Sequence, residues 1–286
     1  MNIQTRGFEH GVIHLKASHS GLISEVLSAM LSLTPERVLE ILYLGGIYLF
    51  DKRQHENLHI NTDDYLRIHT RPRRYNNPQD WAQRIVFQND DFIVVNKPAG
   101  LPCYASVDNE KENVLMFLRE HLQAPVLTLH RLDVPTQGLL CLAKTLRFQQ
   151  SFNELLKDRR VQKLYTAHVA SPGPELGEHT HYMEKSPWAP KVARSQFFTE
   201  GLECRLRVLE KSEVSPGVTA LKIELLTGRT HQIRCQMAAM GFPLRGDHLY
   251  GAERIYAEER IDLWASDLSF ADPFSAGEKN FAFSLT

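Results

Sequence analysis

Short apolar segments of two different periods follow one another in irregular order along this sequence. Segments 47–50, 65–69 and 138–143 have the length and the apolar content of strands. Segment 22–31 and the stretch that begins at Thr145 instead place apolar residues three and four positions apart, as helices do. Because helices and strands do not alternate one to one, the order predicts an α+β fold with a mixed, mostly antiparallel sheet, and argues against a regular parallel βαβ repeat.

A polar stretch that contains two prolines divides the chain. It runs from Arg71-Pro-Arg-Arg to Asn76-Asn-Pro, where proline and asparagine disfavour both helix and sheet. We therefore predict a small N-terminal α/β module over residues 1–75 and a larger domain over residues 80–286, which suits a length of 286 residues.

The sequence also indicates the ends of one helix in the N-terminal module. Thr34 is a suitable N-cap, Pro35 fits the first helical turn, and Gly45-Gly46 can end the helix. The prediction is a helix over residues 35–44.

Composition excludes several classes of protein. With 33 Lys and Arg, 34 Asp and Glu, and 43% hydrophobic residues, the chain has a globular rather than a disordered or fibrous composition. No apolar run approaches the roughly 18 residues that span a bilayer, and the first residues lack a secretory pattern. Four widely spaced cysteines form neither a zinc signature nor a disulfide framework. We expect a soluble cytoplasmic protein with reduced thiols.

The net charge of −1 neither supports nor excludes a nucleic-acid partner, so any phosphate-binding surface has to be local. The best local candidate is a set of cations with few acidic neighbours: Lys144, Arg147, Lys157, Arg159, Arg160 and Lys163, together with Arg71, Arg73 and Arg74. Each of these taken singly is explained by a solvated helix face, and collectively they could contact phosphates.

Segment 129–144 contains a carboxylate at a position that is typical of functional sites. Asp133 lies in a turn between two apolar runs, and Arg131 precedes it by two residues. Loops held by strands commonly carry functional groups. A turn-capping aspartate paired with a surface arginine explains the segment equally well.

Segment 225–234 gathers donors where a strand runs into a helix. After Gly228 the first helical residues include several donors: Arg229, His231, Gln232 and Arg234. Cations at a helix start oppose the helix dipole, so an anionic partner explains them better than a solvated basic face does. That anion is either a phosphate or Asp133 itself.

Two further segments indicate a function only when they are considered together with the others. Lys97, in Asn96-Lys-Pro-Ala-Gly100, is by itself a charge at the end of a strand, and the segment does not have the spacing of a phosphate-binding P-loop. Tyr165 shares one strand face with Lys163 and Ala167, where an isolated aromatic residue usually belongs to the core.

Together these segments resemble the RluA-type family of RNA pseudouridine synthases. The resemblance covers about residues 84–285 and rests on five motifs in the family's order: Asn96-Lys-Pro-Ala-Gly, His130-Arg-Leu-Asp-x-x-Thr-x-Gly138, Lys163-x-Tyr-x-Ala167, Gly228-Arg-Thr-His-Gln-Ile-Arg234 and Gly246-Asp-x-x-Tyr-Gly251. It implies the pseudouridine synthase fold and the isomerisation of specific uridines in ribosomal or transfer RNA. It also implies that no cofactor or metal takes part.

The resemblance assigns roles to individual residues. It makes Asp133 the essential catalytic residue, Tyr165 the ring that stacks on the flipped base, and Arg229 the partner of the catalytic carboxylate. Arg131 corresponds to the residue that enters the RNA stack where the base is extruded. The expected substrate-binding residues are Arg131, His130, Thr136, Lys97, His231, Gln232 and Arg234.

The sequence departs from the family pattern at two positions. Gln137 stands where the family usually has serine, and Trp264 stands where histidine is common. Both positions look supportive rather than chemical.

The N-terminal module resembles the small α-L RNA-binding module that often precedes this domain. Its helices carry Arg37 and little other positive charge until Lys52, so it is either an RNA-binding module or a structural remnant. We expect a monomer, because the site is built within one domain.

Two other functions compete with the isomerase. One is a non-catalytic RNA-binding protein that keeps the fold. The other is a metal-dependent hydrolase, for which the candidate ligands are Glu178, His179, His181 and Glu184. An exposed loop explains that spacing equally well.

Overall fold

The computed structural model describes residues 4–5, 11–275 and 277–282. Its backbone divides into two compact units, residues 1–78 with 104–117 and residues 79–103 with 118–286. The independent domains expected over residues 1–75 and 80–286 remain a prediction. The division by contacts additionally places 104–117, a segment from the expected larger domain, with the N-terminal residues.

The first unit contains a small antiparallel sheet and two helices. Its elements are β1 (Gln4–Thr5), β2 (Val12–Lys16), β3 (Gly21–Leu22), α1 (Ile23–Leu31), α2 (Pro35–Leu44), β4 (Ile47–Leu49), β5 (Lys52–Gln54), β6 (His59–Ile60) and β7 (Tyr65–His69). The sheet order is β1-β2-β7-β4-β5, and β3 pairs separately with β6. The core includes Val26 of α1, Ile41 of α2 and Leu66 of β7, all fully buried.

Helix α2 has its predicted bounds, and its caps explain why. The Thr34 hydroxyl accepts a hydrogen bond from the amide of Arg37 at 3.2 Å. At the other end, Gly45 adopts φ 78°, and its amide donates to the last helical carbonyls.

From residue 79 onward the chain builds one large sheet. The elements are α3 (Trp81–Arg84), β8 (Ile85–Gln88), β9 (Phe92–Lys97), α4 (Val114–Leu122), β10 (Leu127–Thr128), β11 (Gln137–Ala143), α5 (Leu146–Lys157), β12 (Val161–Ala170), β13 (Gly177–Met183), β14 (Ala193–Arg194), β15 (Leu202–Ser215), β16 (Val218–Leu225), α6 (Gln232–Ala239), a 3-10 helix (His248–Tyr250), β17 (Leu263–Ala271) and β18 (Glu278–Ala282). The main order is β14-β13-β15-β16-β12-β17-β11-β9-β8, with β10 also on β11 and β18 on β17. The predicted α+β class with a mostly antiparallel sheet is confirmed.

The centre of the large sheet contains a parallel contact between β11 and β17, and the other strand pairs among the described residues are antiparallel. Gly138 lies in this contact with φ 111°, opposite Ala265. A Cβ atom at residue 138 would lie 2.4 Å from the Ala265 carbonyl oxygen, so only glycine fits. The two departures from the family pattern, Gln137 and Trp264, are direct neighbours in the same pairing.

Phenylalanine rings join helix α5 to the sheet. Phe92 of β9 stacks on Phe148 of α5 with ring centroids 4.6 Å apart, and Phe152 meets the Phe270 ring edge-on at 5.0 Å. Leu129 belongs to the same buried cluster, so the segment that leads to Asp133 starts from the core.

The exposed loop considered for Glu178, His179 and His181 is wrong, because β13 lies there and pairs with β15. His181 and Met183 are buried while Glu178 and Thr180 are exposed, an alternation that a strand produces and that the flanking Pro and Gly residues obscured. Within the part of the chain that the structure describes, no helix is both long and apolar enough to cross a bilayer.

Candidate active site

A cavity of about 360 Å³ opens on the second unit. Three separate chain segments form most of its wall: the loop between β10 and β11, the start of β12, and the turn into α6. Leu156, Leu225 and Leu263 complete it. Nine of the ten predicted site residues line this cavity: Asp133, Tyr165, Arg229, Arg131, His130, Thr136, His231, Gln232 and Arg234. Lys97 is the exception.

Backbone hydrogen bonds fix the loop that carries Asp133. The Thr136 amide donates to the Asp133 carbonyl at 3.1 Å and closes a turn, and the Gly100 amide donates to the Val134 carbonyl at 2.9 Å. The Leu132 amide donates to Cys103 Sγ at 3.2 Å, and that thiol donates to the Leu132 carbonyl at 3.3 Å. The carboxylate therefore projects from a rigid turn, which is how a reacting group keeps its geometry.

Two cationic or polar side chains of the α6 segment face the Asp133 carboxylate. Arg234 Nη1 lies 3.7 Å from Asp133 Oδ2, and His231 Nε2 lies 4.0 Å from Asp133 Oδ1. The Asp133 side chain keeps 13% of its surface exposed, enough to be reached from the cavity. The arrangement presents a carboxylate whose negative charge a guanidinium stabilises.

Arg234 is itself held from behind by Asp247. The Arg234 Nε and Nη2 atoms donate to the two Asp247 carboxylate oxygens at 2.7 and 2.8 Å, and both side chains are almost fully buried. Burial alone would lower the pKa of Arg234, but the hydrogen bonds and charge of Asp247, with the charge of Asp133, raise it above its ordinary value. The guanidinium is therefore a permanent, fixed cation.

The part of the chain that carries Asp133 and Arg234 is similar to known proteins. Residues 91–239, just over half of the chain, match the family model described as RNA pseudouridylate synthase. This chain belongs to that family.

Relatives place it among synthases of the RluA and RluD type. The chain is 33% identical to "RNA pseudouridine synthase 6, chloroplastic" of Arabidopsis thaliana over 68% of its own length and 46% of that protein. It is 31% identical to "Dual-specificity RNA pseudouridine synthase RluA" of Vibrio parahaemolyticus, over 70% of this chain and 82% of that protein. The chain thus spans about half the length of its plant relative and most of its bacterial one.

Solved structures show the same fold. The human protein "RNA Pseudouridylate Synthase Domain Containing 4" superposes with a TM-score of 0.58 at 21% identity, over 72% of this chain and 90% of that one. The human protein "RNA Pseudouridylate Synthase Domain Containing 1" gives a TM-score of 0.54 at 26% identity, over 70% and 82%. The predicted pseudouridine synthase fold is confirmed.

In this member of the pseudouridylate synthase family, the partner of Asp133 differs from the expected one. Arg229 is exposed at the edge of the cavity, and its Nε atom lies 3.5 Å from the Glu203 carbonyl oxygen. Among the described residues, the ion pair expected between Arg229 and Asp133 does not form, and Arg234 takes that position. Between the two arginines, His231 adopts a left-handed backbone conformation with φ 59°.

His231 and Gln232 brace the α6 segment. His231 Nδ1 lies 3.0 Å from the Tyr250 hydroxyl, which accepts a hydrogen bond from the Lys191 amide at 2.9 Å. Gln232 is nearly buried, and its side chain bonds Thr227, the Arg229 amide, the Arg205 carbonyl and Gln236. Burial lowers the pKa of His231, which favours its neutral form.

Lys97 also has a bracing position. It is completely buried, and its ammonium group donates to the carbonyls of Pro98, Leu101 and Val134 at 2.7–3.1 Å. Burial lowers the pKa of Lys97 to about 8. The expected contact of Lys97 with substrate is therefore replaced by a contact with the loop of Asp133.

Tyr165 is buried in the wall of the cavity, and its side chain is 6% exposed. Burial, with the nearby charge of Asp133, raises the pKa of Tyr165, so the hydroxyl stays protonated. Arg131 lines the same cavity and is exposed to solvent. An aromatic ring in the wall of a cavity and an exposed cation that lines the same cavity suit a flat, stackable ligand.

His130 is held as a neutral ring. Its Nε2 atom accepts a hydrogen bond from the Cys141 amide at 3.0 Å, and its ring packs against Phe152. Burial, reinforced by the charge of Lys163, lowers the pKa of His130 to about 3. Because Nε2 accepts, the neutral ring carries its hydrogen on Nδ1.

This histidine makes stability depend on pH. The folded-state pKa lies below the unfolded value of about 6.5, so its contribution is complete above that pH and is lost as the pH falls toward 3. Between pH 7 and pH 5 we expect His130 to account for a fall of about 2 kcal/mol in the free energy of unfolding. Urea unfolding of wild type and His130→Gln at both pH values measures it, since the glutamine does not titrate. Equal losses in the two proteins would contradict this assignment.

The candidate metal ligands are engaged elsewhere. Glu178 pairs with Arg205 and Arg207 at 3.2 Å, and His179 Nε2 lies 2.8 Å from the Glu175 carbonyl oxygen. In residues 11–275 and 277–282, no three His, Cys, Asp or Glu side chains come together as metal ligands would. The structure therefore offers no support for the hydrolase alternative.

Three residues that hold the site in place received no role from the sequence. Asp247 and Tyr250 belong to a motif that carried the family resemblance but received no role. A buried arginine needs a buried carboxylate as its partner. A prediction that Arg234 is buried would therefore have indicated a carboxylate beside it, which is Asp247. Cys103 is hydrogen-bonded to both the amide and the carbonyl of Leu132. The sequence around Cys103 is apolar and does not indicate this contact.

Proposed function

We propose that the protein converts specific uridines in RNA to pseudouridine. The observation that carries this proposal is the Asp133 carboxylate facing Arg234 within a cavity lined by Tyr165, in a chain of the RNA pseudouridylate synthase family. A cavity of this size lies at the lower end of the range of about 300–1,000 Å³ that holds small ligands, which suits one nucleotide.

The reaction breaks the bond between uracil N1 and ribose C1′ and forms a bond from C5 to the same carbon. The C5 proton leaves and N1 takes up a proton from solvent, so that the product is an isomer of the substrate. The base must first leave its stack, a step for which Arg131 and Tyr165 are the suitable groups. Asp133 then acts as the nucleophile or the base. Attack on the sugar, attack on the base and removal of the ribose 2′ proton are all consistent with a carboxylate at this position. Arg234 stabilises the negative charge of that carboxylate between steps.

The substrate is ribosomal or transfer RNA. The names of relatives support these two pools: one is a "Ribosomal large subunit pseudouridine synthase D" from Neisseria meningitidis, and another is named as dual-specific. The residues that line the cavity all belong to one compact unit of the chain, so the site does not need a second unit to complete it, which supports a monomeric enzyme. Four buried free thiols suit the cytoplasm, where thiols stay reduced.

Tritium release tests the proposal. Unmodified ribosomal and transfer RNA pools labelled with tritium at C5 of uridine are incubated with the purified protein, and the label released to water is counted. We expect release in a small, fixed ratio to RNA from at least one pool, because only specific uridines react. Binding of RNA without release from either pool would favour the non-catalytic RNA-binding protein.

A further inference from the structure

The proposed reaction needs a proton acceptor at its last step. Once C5 has formed its bond to C1′, that carbon still carries a hydrogen, which must leave before pseudouridine is complete. The group that removes it has to lie in the cavity and to offer a lone pair. Four side chains that line the cavity are of types that accept a proton, namely His130, Asp133, Tyr165 and His231. The arginines and the lysine of the same wall are donors in their charged forms.

The contacts of His130 and Tyr165 make both unsuitable as this base. The Nε2 lone pair of His130 already accepts from the Cys141 amide at 3.0 Å, and its Nδ1 atom carries the hydrogen. Burial and the charge of Asp133 raise the pKa of Tyr165, so its hydroxyl keeps its proton. Asp133, which acts at an earlier step of the reaction, and His231 are the two acceptors that remain.

Hydrogen bonds decide which nitrogen of His231 carries the free lone pair. Arg234 Nη1 lies 3.3 Å from His231 Nε2, and a guanidinium can only donate, so Nε2 is an acceptor. The hydrogen of the neutral ring is therefore on Nδ1, which lies 3.0 Å from the Tyr250 hydroxyl oxygen. The contact of Nε2 with Arg234 is longer than the usual distance of about 2.9 Å, which leaves this lone pair weakly engaged.

The Nε2 atom also lies beside the reacting carboxylate. It is 4.0 Å from Asp133 Oδ1, and the His231 side chain, which lines the cavity, keeps 16% of its surface exposed. Two acceptors at this distance do not bond to each other. A uridine that reacts at Asp133 therefore lies within reach of a second, separate acceptor.

The charges around His231 suit a group that gains a proton for a short time. They are those of Asp133, Arg131 and the Arg234–Asp247 pair. Burial lowers the pKa of His231 below its ordinary value, so the ring is neutral at pH 7 and its lone pair is available. The negative charge of Asp133 acts in the opposite direction and stabilises the imidazolium that proton transfer produces.

We propose that His231 is a catalytic base whose Nε2 atom removes the proton from C5 after the bond from C5 to C1′ has formed. The inference rests on the proposed function for the reaction itself. The electron pair of the C5–H bond forms the C5–C6 double bond, and the electrons of the N1–C6 double bond move to N1. The proton passes to Nε2 and from there to solvent, while N1 takes up a proton from solvent.

A deuterium isotope effect tests this role. RNA pools are transcribed with uridine or with uridine that carries deuterium at C5, and each is incubated with wild type or His231→Asn under single-turnover conditions. Mass spectrometry of the digested RNA counts pseudouridine. We expect His231→Asn to react at least about a hundredfold more slowly with ordinary RNA, because it lacks a general base. Deuterium should slow the variant by a larger factor than wild type, since breaking the C5–H bond then limits its rate.

Two variants separate the base from the brace. Asparagine tolerates the left-handed backbone at residue 231, where φ is 59°, and its amide retains a donor on the side of Nδ1 while lacking the Nε2 lone pair. Tyr250→Phe does the reverse, since it removes the partner of Nδ1 and keeps the ring 5.0 Å from the Arg234 guanidinium. The ratio of the ordinary to the deuterated rate should equal that of wild type in Tyr250→Phe and rise in His231→Asn. Both rates come from one preparation, so any unfolded fraction cancels.

Three results would overturn the inference. An unchanged isotope ratio in His231→Asn would leave Asp133 as the acceptor of the C5 proton. An equal rise in Tyr250→Phe would show that only the brace matters. Loss of all product from both substrates in His231→Asn would place the defect before the C5 step. Failure of the proposed function is distinct from these results, because wild type would then form no pseudouridine from either pool.

Discussion

Replacing Asp133 with asparagine is expected to reduce tritium release from C5-labelled RNA by at least about a thousandfold. An amide of nearly the same shape can neither act as a nucleophile nor accept a proton, and such groups contribute factors of this size. The fold should persist, because the turn is held by backbone contacts of Leu132, Val134 and Thr136 rather than by the carboxylate. The measurement is single-turnover tritium release at saturating protein. Binding of the same RNA is measured alongside, to show that the variant still binds its substrate.

The matched control is Asp91→Asn. Asp91 also lies in a loop and pairs with an arginine, Arg147, at 2.9 Å, but it does not line the cavity. It should release tritium as wild type does. Full activity in Asp133→Asn would contradict the catalytic role of Asp133. Loss of activity in both variants would instead indicate a general effect of removing a loop carboxylate.

Asp247→Ala is expected to lower the free energy of unfolding by about 3–5 kcal/mol. The Arg234 guanidinium is 5% exposed and gives two hydrogen bonds to Asp247, so the substitution leaves a buried charge without its main partner. Guanidinium chloride unfolding at pH 7 measures the change. Catalysis should fall as well, because Arg234 then loses the anchor that keeps it 3.7 Å from Asp133.

Two variants make that prediction specific. Glu200→Ala breaks the exposed pair with Lys185 and should change the free energy of unfolding by less than about 1 kcal/mol. Arg234→Met in addition to Asp247→Ala should recover part of the lost stability, because it removes the unpaired charge. A loss below 1 kcal/mol in Asp247→Ala would show that the buried pair does not hold this region together.

Local signals in the sequence were sufficient for much of the fold. Helix α2 has its predicted bounds because the residues next to it cap both of its ends, and strand β7 also matches its expected range. Five motifs in order were enough to identify the family, since each places functional residue types at fixed spacing. Nine of ten predicted site residues line one cavity for the same reason.

The failures concern information that is not local. Arg229 and Arg234 are both basic residues of one motif, and their spacing alone does not show that Arg234 is the one that lies 3.7 Å from Asp133. Lys97 has a sequence context typical of a surface charge, yet the fold closes over it and surrounds its ammonium group with carbonyls. Strand β13 is short of β-branched residues and is defined by its pairing with β15.

Strand β17 has a consequence for how the protein is made. It is inserted between β11 and β12, although it follows β12 by more than 90 residues in the chain. During synthesis the ribosome must translate β17 before the two halves of the large sheet can be joined, and until then β11 and β12 each present an unpaired edge. Such long-range closure is slow and exposes nascent chains to aggregation. Both edges therefore stay unpaired while residues 171–262 are translated.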